Sequence, residues 1–293
     1  MMRKILLLPM LCIISLLCVG CEFVTEEPVR NVHFIGIGLS YQISSDDAGT
    51  GVLIPVGTEW AKGKVLTSCL NDVANVYARF STRGYDSFTS YTGGSSLAYI
   101  SDASGAIDSY SLCLSALDAV ASSAKDSDLT IFYYSGHGYS DGSLALTDGT
   151  TQTVSGHTYV TGKLLGIDTL LAKLSAIAGD KLVVMDSCYS GNLAEEWADH
   201  SAEGFERFFA SHGDSNIYVL TASAADEKSF CNSEYGHFTK AVTTLLADNP
   251  SVALSDLYDA VSEYFSGISF LSEGVLCEMH PASNTSVPLD LLI

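Results

Sequence analysis

Apolar residues along the chain form short runs that alternate with longer segments of helical period. The run at 32–39 hardly alternates with polar residues, which is typical of a strand covered on both faces. Further strands are predicted at 129–134, 181–185 and 216–221, and helices at 68–80, 105–124, 161–177, 238–247 and 255–265. This alternation predicts an α/β fold of three layers, in which helices flank a mainly parallel central sheet.

One segment breaks the alternation. Residues 141–162 are rich in Gly, Thr, Ser and Asp, which predicts a hairpin or a surface insertion. There is no internal repeat and no change of composition that would force a second domain. We therefore expect one domain over 32–293.

The N-terminus has the layout of an export signal. Two basic residues precede an apolar run at 5–19, which is too short for a comfortable membrane span. Residues 17–21 (Leu-Cys-Val-Gly-Cys) resemble a bacterial lipobox, with Cys18 where that pattern usually has Leu. The prediction is a signal peptide at 1–20, a lipidated Cys21, a tether at 22–31 and an exported, membrane-anchored protein. An ordinary cleaved signal or an uncleaved anchor are the alternatives.

The amino-acid composition and net charge limit the kinds of molecule that the protein is expected to bind. The chain is 47% hydrophobic, which excludes a disordered protein, and its net charge of −20 opposes binding to nucleic acid and favours basic partners. Five cysteines follow residue 21, an odd number. In an oxidising compartment some of them could form disulfides, and the sequence leaves the pairing open for Cys69, Cys113, Cys231 and Cys277.

Two predicted strands end in residues that can carry chemistry. The strand at 129–134 continues into 135–138 (Ser-Gly-His-Gly), and the strand at 181–185 continues into 186–191 (Asp-Ser-Cys-Tyr-Ser-Gly). Parallel strands end at one edge of a sheet, so His137 and Cys188 are expected to be neighbours. A histidine beside a thiol withdraws its proton or stabilises the thiolate, as a cysteine nucleophile requires.

The glycines beside His137 fit the same interpretation. Gly136 and Gly138 are expected to let the backbone turn and to leave amides exposed. The amides of Gly138 and Cys188 are the expected donors to an oxyanion, and each such donor is worth roughly 3 kcal/mol at the transition state.

These segments resemble metacaspases and related bacterial caspase-like peptidases. Residues 133–138 and 186–191 match that family in order and spacing, and 69–74 (Cys-Leu-Asn-Asp-Val-Ala) is similar to the stretch that opens its first helix. The resemblance implies a caspase-like cysteine endopeptidase that needs no cofactor for its chemistry.

The resemblance also implies a substrate preference. Metacaspases have an aspartate two residues before the nucleophile and prefer Arg or Lys before the scissile bond, so Asp186 and Asp72 would line the primary pocket, with Cys69 and Ser135 nearby. Asp72 also suits a first-turn helix position, and Asp226 lies in the region where the family builds its pocket wall. Two carboxylates in one pocket favour a guanidinium and repel an acidic side chain.

Other outcomes stay open. Some metacaspases are activated by calcium, and Asp168 is a candidate ligand, although the chain has no recognisable calcium loop. A caspase-fold peptidase specific for Asn or Asp is one alternative. A non-catalytic surface lipoprotein that uses the fold as a binding module is another.

Overall fold

The computed structural model describes residues 30–43, 51–103, 105–190, 216–248, 252–272 and 275–283. The predicted signal peptide, Cys21 and nearly all of the predicted tether lie outside these ranges. Within the described ranges, no helix is long and apolar enough to cross a membrane.

Within the described part of the chain, seven strands form a central sheet. Six of its strands are β1 (Asn31–Gly38), β4 (Ser87–Ser90), β6 (Leu129–Ser135), β9 (Asp180–Asp186), β10 (Ile217–Thr221) and β13 (Ala282–Ser283), in the spatial order β13-β10-β9-β6-β1-β4. The seventh, β5 (Ile100–Ser101), pairs with the end of β1. All pairs are parallel except β10 with β13. The predicted sheet is therefore confirmed, as a mixed sheet with one antiparallel edge strand.

Helices cover both faces of this sheet. The five described helices are α1 (Ser68–Ser81), α2 (Ser109–Ala121), α3 (Ile167–Ser175), α4 (His237–Asp248) and α5 (Leu254–Phe265). Strand β6 shows how the layers form, because its side chains alternate between faces. Ile131 and Tyr133 pack with α1, α4 and α5, whereas Phe132 and Tyr134 pack with α2 and α3. The three-layer α/β prediction is confirmed.

A second sheet lies beside the first. It has the order β3-β2-β8-β7 and consists of β2 (Val52–Val56), β3 (Glu59–Gly63), β7 (Leu144–Val154) and β8 (His157–Leu165). The hairpin predicted within 141–162 is β7–β8. The helix predicted at 161–177 is wrong in its first part, because 161–165 pairs with β7 and only Ile167–Ser175 is helical. The apolar residues of 161–177 fit the period of a strand at first and that of a helix afterwards, so periodicity alone does not locate the boundary between the two elements.

The remaining two strands form a small hairpin, β11 (Phe270–Ser272) with β12 (Val275–Cys277). Cys69, Cys113, Cys188 and Cys231 all carry free thiols.

Candidate active site

His137 follows the carboxyl end of β6, where the chain leaves the sheet. Its Nε2 lies 2.7 Å from the carbonyl oxygen of Lys64, which directly follows β3. A carbonyl can only accept, so Nε2 carries the proton and Nδ1 is the unprotonated nitrogen of the neutral ring. Gly63 allows this approach, since a Cβ there would stand 2.8 Å from the imidazole. Burial lowers the pKa of His137, although the Lys64 bond acts in the opposite direction.

Cys188 occupies the matching position after β9. Its Sγ lies 3.8 Å from the carbonyl oxygen of Ser229, and the next residue, Tyr189, has a left-handed backbone with φ of +58°. The Tyr189 amide donates to the carbonyl of Glu227 at 2.7 Å, which fixes the turn after the thiol. Burial raises the pKa of Cys188, and the hydrogen bond with Ser229 lowers it only in part. Both shifts favour the uncharged forms, the thiol of Cys188 and the neutral imidazole of His137.

His137 and Cys188 line one cavity of about 90 Å³. The predicted convergence of the two strand ends is thus present in the fold. Strands β6 and β9 pair directly, with Ser135 opposite Asp186, which places the two catalytic candidates at the same sheet edge.

The glycines beside His137 are required by close approach, since neither has a positive φ. A Cβ on Gly138 would stand 1.9 Å from the carbonyl oxygen of Cys188. Gly138 forms a bridge with Leu144 that is closed by Ala145 N donating to His137 O and by Tyr139 N donating to Ser143 O. Neither of these two bonds uses the Gly138 amide.

Two buried carboxylates face each other in the floor of the same cavity. Asp72, on α1, accepts the Gly236 amide at 2.9 Å and the Ser135 hydroxyl at 3.1 Å. Asp186, at the end of β9, accepts the Ser229 hydroxyl at 2.6 Å and the Thr239 hydroxyl at 2.7 Å. A Cβ on Gly236 would meet Oδ2 of Asp186 at 2.1 Å and Oδ2 of Asp72 at 3.1 Å, so only glycine fits between them.

This proximity changes how the two acids titrate. Burial and then the charge of Asp186 raise the pKa of Asp72 to about 8. Burial also raises the pKa of Asp186, against the hydrogen bonds from Ser229 and Thr239. Among the described residues that line the cavity there is no Lys or Arg to neutralise the pair. Both shifts favour protonation of the pair.

The other predicted residues divide into two groups. Cys69 and Ser135 line the cavity, and burial raises the pKa of Cys69 further than the charge of Asp72 does. Asp226 is exposed and does not line the cavity, so the structure does not bring it to the carboxylate pair. Asp168 is exposed in the first turn of α3. No group of three or more His, Cys, Asp or Glu within the described ranges is placed to hold a metal ion.

Several residues of the site are absent from the sequence interpretation. The Lys64 carbonyl is a backbone atom and leaves no sequence signal. Ser229, Phe230, Cys231 and Gly236 reach the cavity from the chain that follows β10. Their position after a predicted buried strand could have identified this segment as part of the site, because functional residues lie in the loops at the carboxyl ends of parallel strands.

Comparison with known proteins gives a family and two structural neighbours. A family model described as "Caspase domain" matches residues 56–285. Protein GSU0716 from Geobacter sulfurreducens aligns with a TM-score of 0.50 at 15% identity, covering 87% of this chain and 92% of its own. Caspase-1 from Spodoptera frugiperda aligns with a TM-score of 0.51 at 11% identity, covering 87% and 86%. A search of curated proteins found no match. At these identities the two structures establish the fold alone.

Proposed function

This chain belongs to the caspase-domain family, and from that premise we propose that it is a cysteine endopeptidase that cleaves after Arg or Lys. The observation that carries the proposal is the pair of buried carboxylates, Asp72 and Asp186, in the same cavity as His137 and Cys188. A guanidinium or ammonium entering that cavity would find two acids and no Lys or Arg among its described lining residues. Calcium is a possible activator in this proposal and is not needed for the chemistry.

The proposed reaction is an acyl transfer. Nδ1 of His137 takes the thiol proton as Sγ of Cys188 attacks the carbonyl carbon, and the amides of Gly138 and Cys188 bind the oxyanion. The tetrahedral intermediate collapses, and the imidazolium gives its proton to the leaving amine. Water, activated by the same imidazole, then hydrolyses the thioester and restores the free thiol.

Hydrolysis of a fluorogenic peptide series tests this proposal. Peptides that differ only in ending with Arg, Lys, Asp or Asn are compared, with Cys188→Ala as the inactive variant. Cys113→Ala is the matched control, because Cys113 is a free thiol buried in the core away from the cavity. Cleavage after Arg or Lys that only Cys188→Ala abolishes is expected. Preference for Asp or Asn would support the alternative peptidase, and a folded protein without any cleavage would support the binding module.

We also propose that the enzyme is exported and anchored through Cys21. Strand β1 begins at Asn31 and runs parallel to β6 and β9, so the chain enters the sheet at the edge opposite His137 and Cys188. An anchor at Cys21 would therefore join the domain at the sheet edge opposite the site. Labelling of cells with a radioactive fatty acid should mark the wild-type protein but not Cys21→Ser. Equal labelling of the two would refute the anchor.

A further inference from the structure

Two buried tyrosine hydroxyls hold the main chain of His137 from both sides. The His137 amide donates to the Tyr41 hydroxyl at 2.9 Å, and the Tyr134 hydroxyl donates to the His137 carbonyl at 2.7 Å. The Tyr41 hydroxyl donates in turn to the Ala145 carbonyl at 2.8 Å and lies 3.0 Å from the Tyr134 oxygen. Both tyrosines are fully buried. A phenylalanine would fill nearly the same volume, so packing alone does not account for the hydroxyls.

Tyr41 reaches this position only through a strained backbone. Its φ is +59°, in the left-handed region that a bulky side chain rarely adopts and that costs about 1–3 kcal/mol. The carboxylate of Asp102, itself buried, accepts the Ser40 amide at 2.8 Å and the Tyr41 amide at 2.6 Å. Asp102 therefore holds the segment after β1 in the conformation that turns Tyr41 inward.

The same tyrosine also contacts the imidazole. The ring centroids of Tyr41 and His137 are 4.9 Å apart with an interplanar angle of 32°. A Cβ on Gly136 would stand 2.7 Å from the Tyr41 oxygen and 2.5 Å from the Tyr134 oxygen, so a side chain there would displace the hydroxyls. The main chain of His137 bonds to the hydroxyl oxygens of Tyr41 and Tyr134, and its imidazole packs against the Tyr41 ring. Gly136 leaves the space that these two oxygens occupy.

We propose that Tyr41, with Asp102 behind it, is a positioning residue for His137. The inference rests on the proposed function for its kinetic consequence, because it assigns His137 as the base. His137 lies beyond the end of β6, where the Ala145 amide holds only its carbonyl, at 3.0 Å, and the Lys64 carbonyl holds only one ring nitrogen. The Tyr41 hydroxyl fixes the backbone from which the imidazole projects, and its ring limits how far the imidazole can rotate. A misplacement of about 1 Å in a catalytic group can cost about 100-fold in rate.

Tyr41→Phe tests the inference, because it removes one oxygen and keeps the ring. The expected result is a decrease in kcat of about 10- to 100-fold on an arginyl peptide, with KM within about twofold of wild type. Tyr91→Phe is the matched control: its hydroxyl bonds to His33 and Ser123, each at 3.0 Å, at the other edge of the sheet. If Tyr41→Phe does not fold, Tyr134→Phe removes the second hydroxyl and should also lower kcat.

A second readout does not depend on peptidase activity. NMR spectra of protein with ¹⁵N-labelled histidine report the tautomer of His137, which should be the Nε2–H form in wild type and in Tyr91→Phe. In Tyr41→Phe this single tautomer should be lost, and the imidazole should titrate at higher pH as water reaches the ring. Unchanged His137 resonances in Tyr41→Phe would overturn the inference, whatever happens to kcat. A wild-type protein that cleaves nothing would refute the proposed function, and the NMR comparison would then decide the positioning role alone.

Discussion

The selectivity for a basic substrate should depend on pH through the acids in the cavity floor. The test perturbs pH and Asp72 together and compares two peptides, one ending in Arg and the other in citrulline, which has nearly the shape of Arg without its charge. The ratio of kcat/KM for the two peptides isolates the charge. It also cancels the titration of His137 and Cys188, which affects both substrates.

The expected change of the Arg/citrulline ratio with pH follows from the raised pKa of Asp72, which is about 8. With that pKa the carboxyl is about 1% ionised at pH 6, about 10% at pH 7 and about half at pH 8. A guanidinium prefers the ionised form, so its binding must displace a proton below pH 8. The Arg/citrulline ratio should therefore rise about tenfold between pH 6 and pH 7 and level off above about pH 8.

The Asp72→Asn variant removes the charge and keeps the shape. Loss of one partner of a buried ion pair costs about 3 kcal/mol, so the Arg/citrulline ratio at pH 8 should fall about 150-fold and lose its steep rise between pH 6 and pH 7. Asp226→Asn is the control, because that exposed acid lies outside the cavity lining and should keep the wild-type ratio. A ratio that is independent of pH in the wild type, or an unchanged ratio in Asp72→Asn, would show that the charge of Asp72 does not bind the basic side chain.

Three further predictions concern the dyad and the far edge of the sheet. Burial raises the pKa of Cys188 and lowers that of His137. The rate at which iodoacetamide alkylates Cys188 should therefore rise about tenfold per pH unit from pH 6 to 8. A rate that reaches a plateau at acidic pH would instead indicate a thiolate–imidazolium pair. Gly138→Ala should lower kcat at least 100-fold, because the new Cβ would meet the Cys188 carbonyl oxygen, and wild-type kinetics in a folded variant would contradict the assigned oxyanion site. Burial raises the pKa of Asp128, but hydrogen bonds from His33 and the Lys125 amide outweigh it and lower that pKa overall. Asp128→Asn should therefore lower Tm at pH 7, with a difference that shrinks as the pH falls below about 4, whereas a Tm difference that does not change with pH would show that the charge of Asp128 is unimportant.

The sequence is enough to predict four of the seven strands of the central sheet and the shared sheet edge of His137 and Cys188, because both follow from local patterns. Unbroken apolar runs identify β1, β6, β9 and β10, and the two runs that end in His137 and Cys188 must emerge at one edge if the sheet is parallel. The helix boundary at 161–167 was missed because a short apolar run fits both periods, and only its pairing with β7 decides between them.

The remainder of the site depends on contacts that no local pattern records. Lys64 contributes a backbone carbonyl, so its side chain carries no information about the role. Tyr41 follows β1 and resembles any apolar core residue in the sequence, and only the fold reveals its left-handed backbone and its bond to His137. Asp72 lies on a helix and Asp186 at the end of a strand, and the two carboxylates approach each other beside Gly236. The resemblance to metacaspases, and no spacing in the sequence, made this proximity predictable.

In the proposed function, Cys188 is a nucleophile in a pocket for basic residues. Covalent labelling tests it most directly, with a peptidyl chloromethylketone ending in Arg and a second one ending in Asp, followed by mass spectrometry of the modified peptide. The arginyl probe should modify Cys188 alone, lose this reaction in Asp72→Asn, and leave the thiols of Cys69 and Cys231 intact, while the aspartyl probe should react at least 100-fold more slowly. Modification of Cys231 instead of Cys188, or equal rates with the two probes, would contradict the claim.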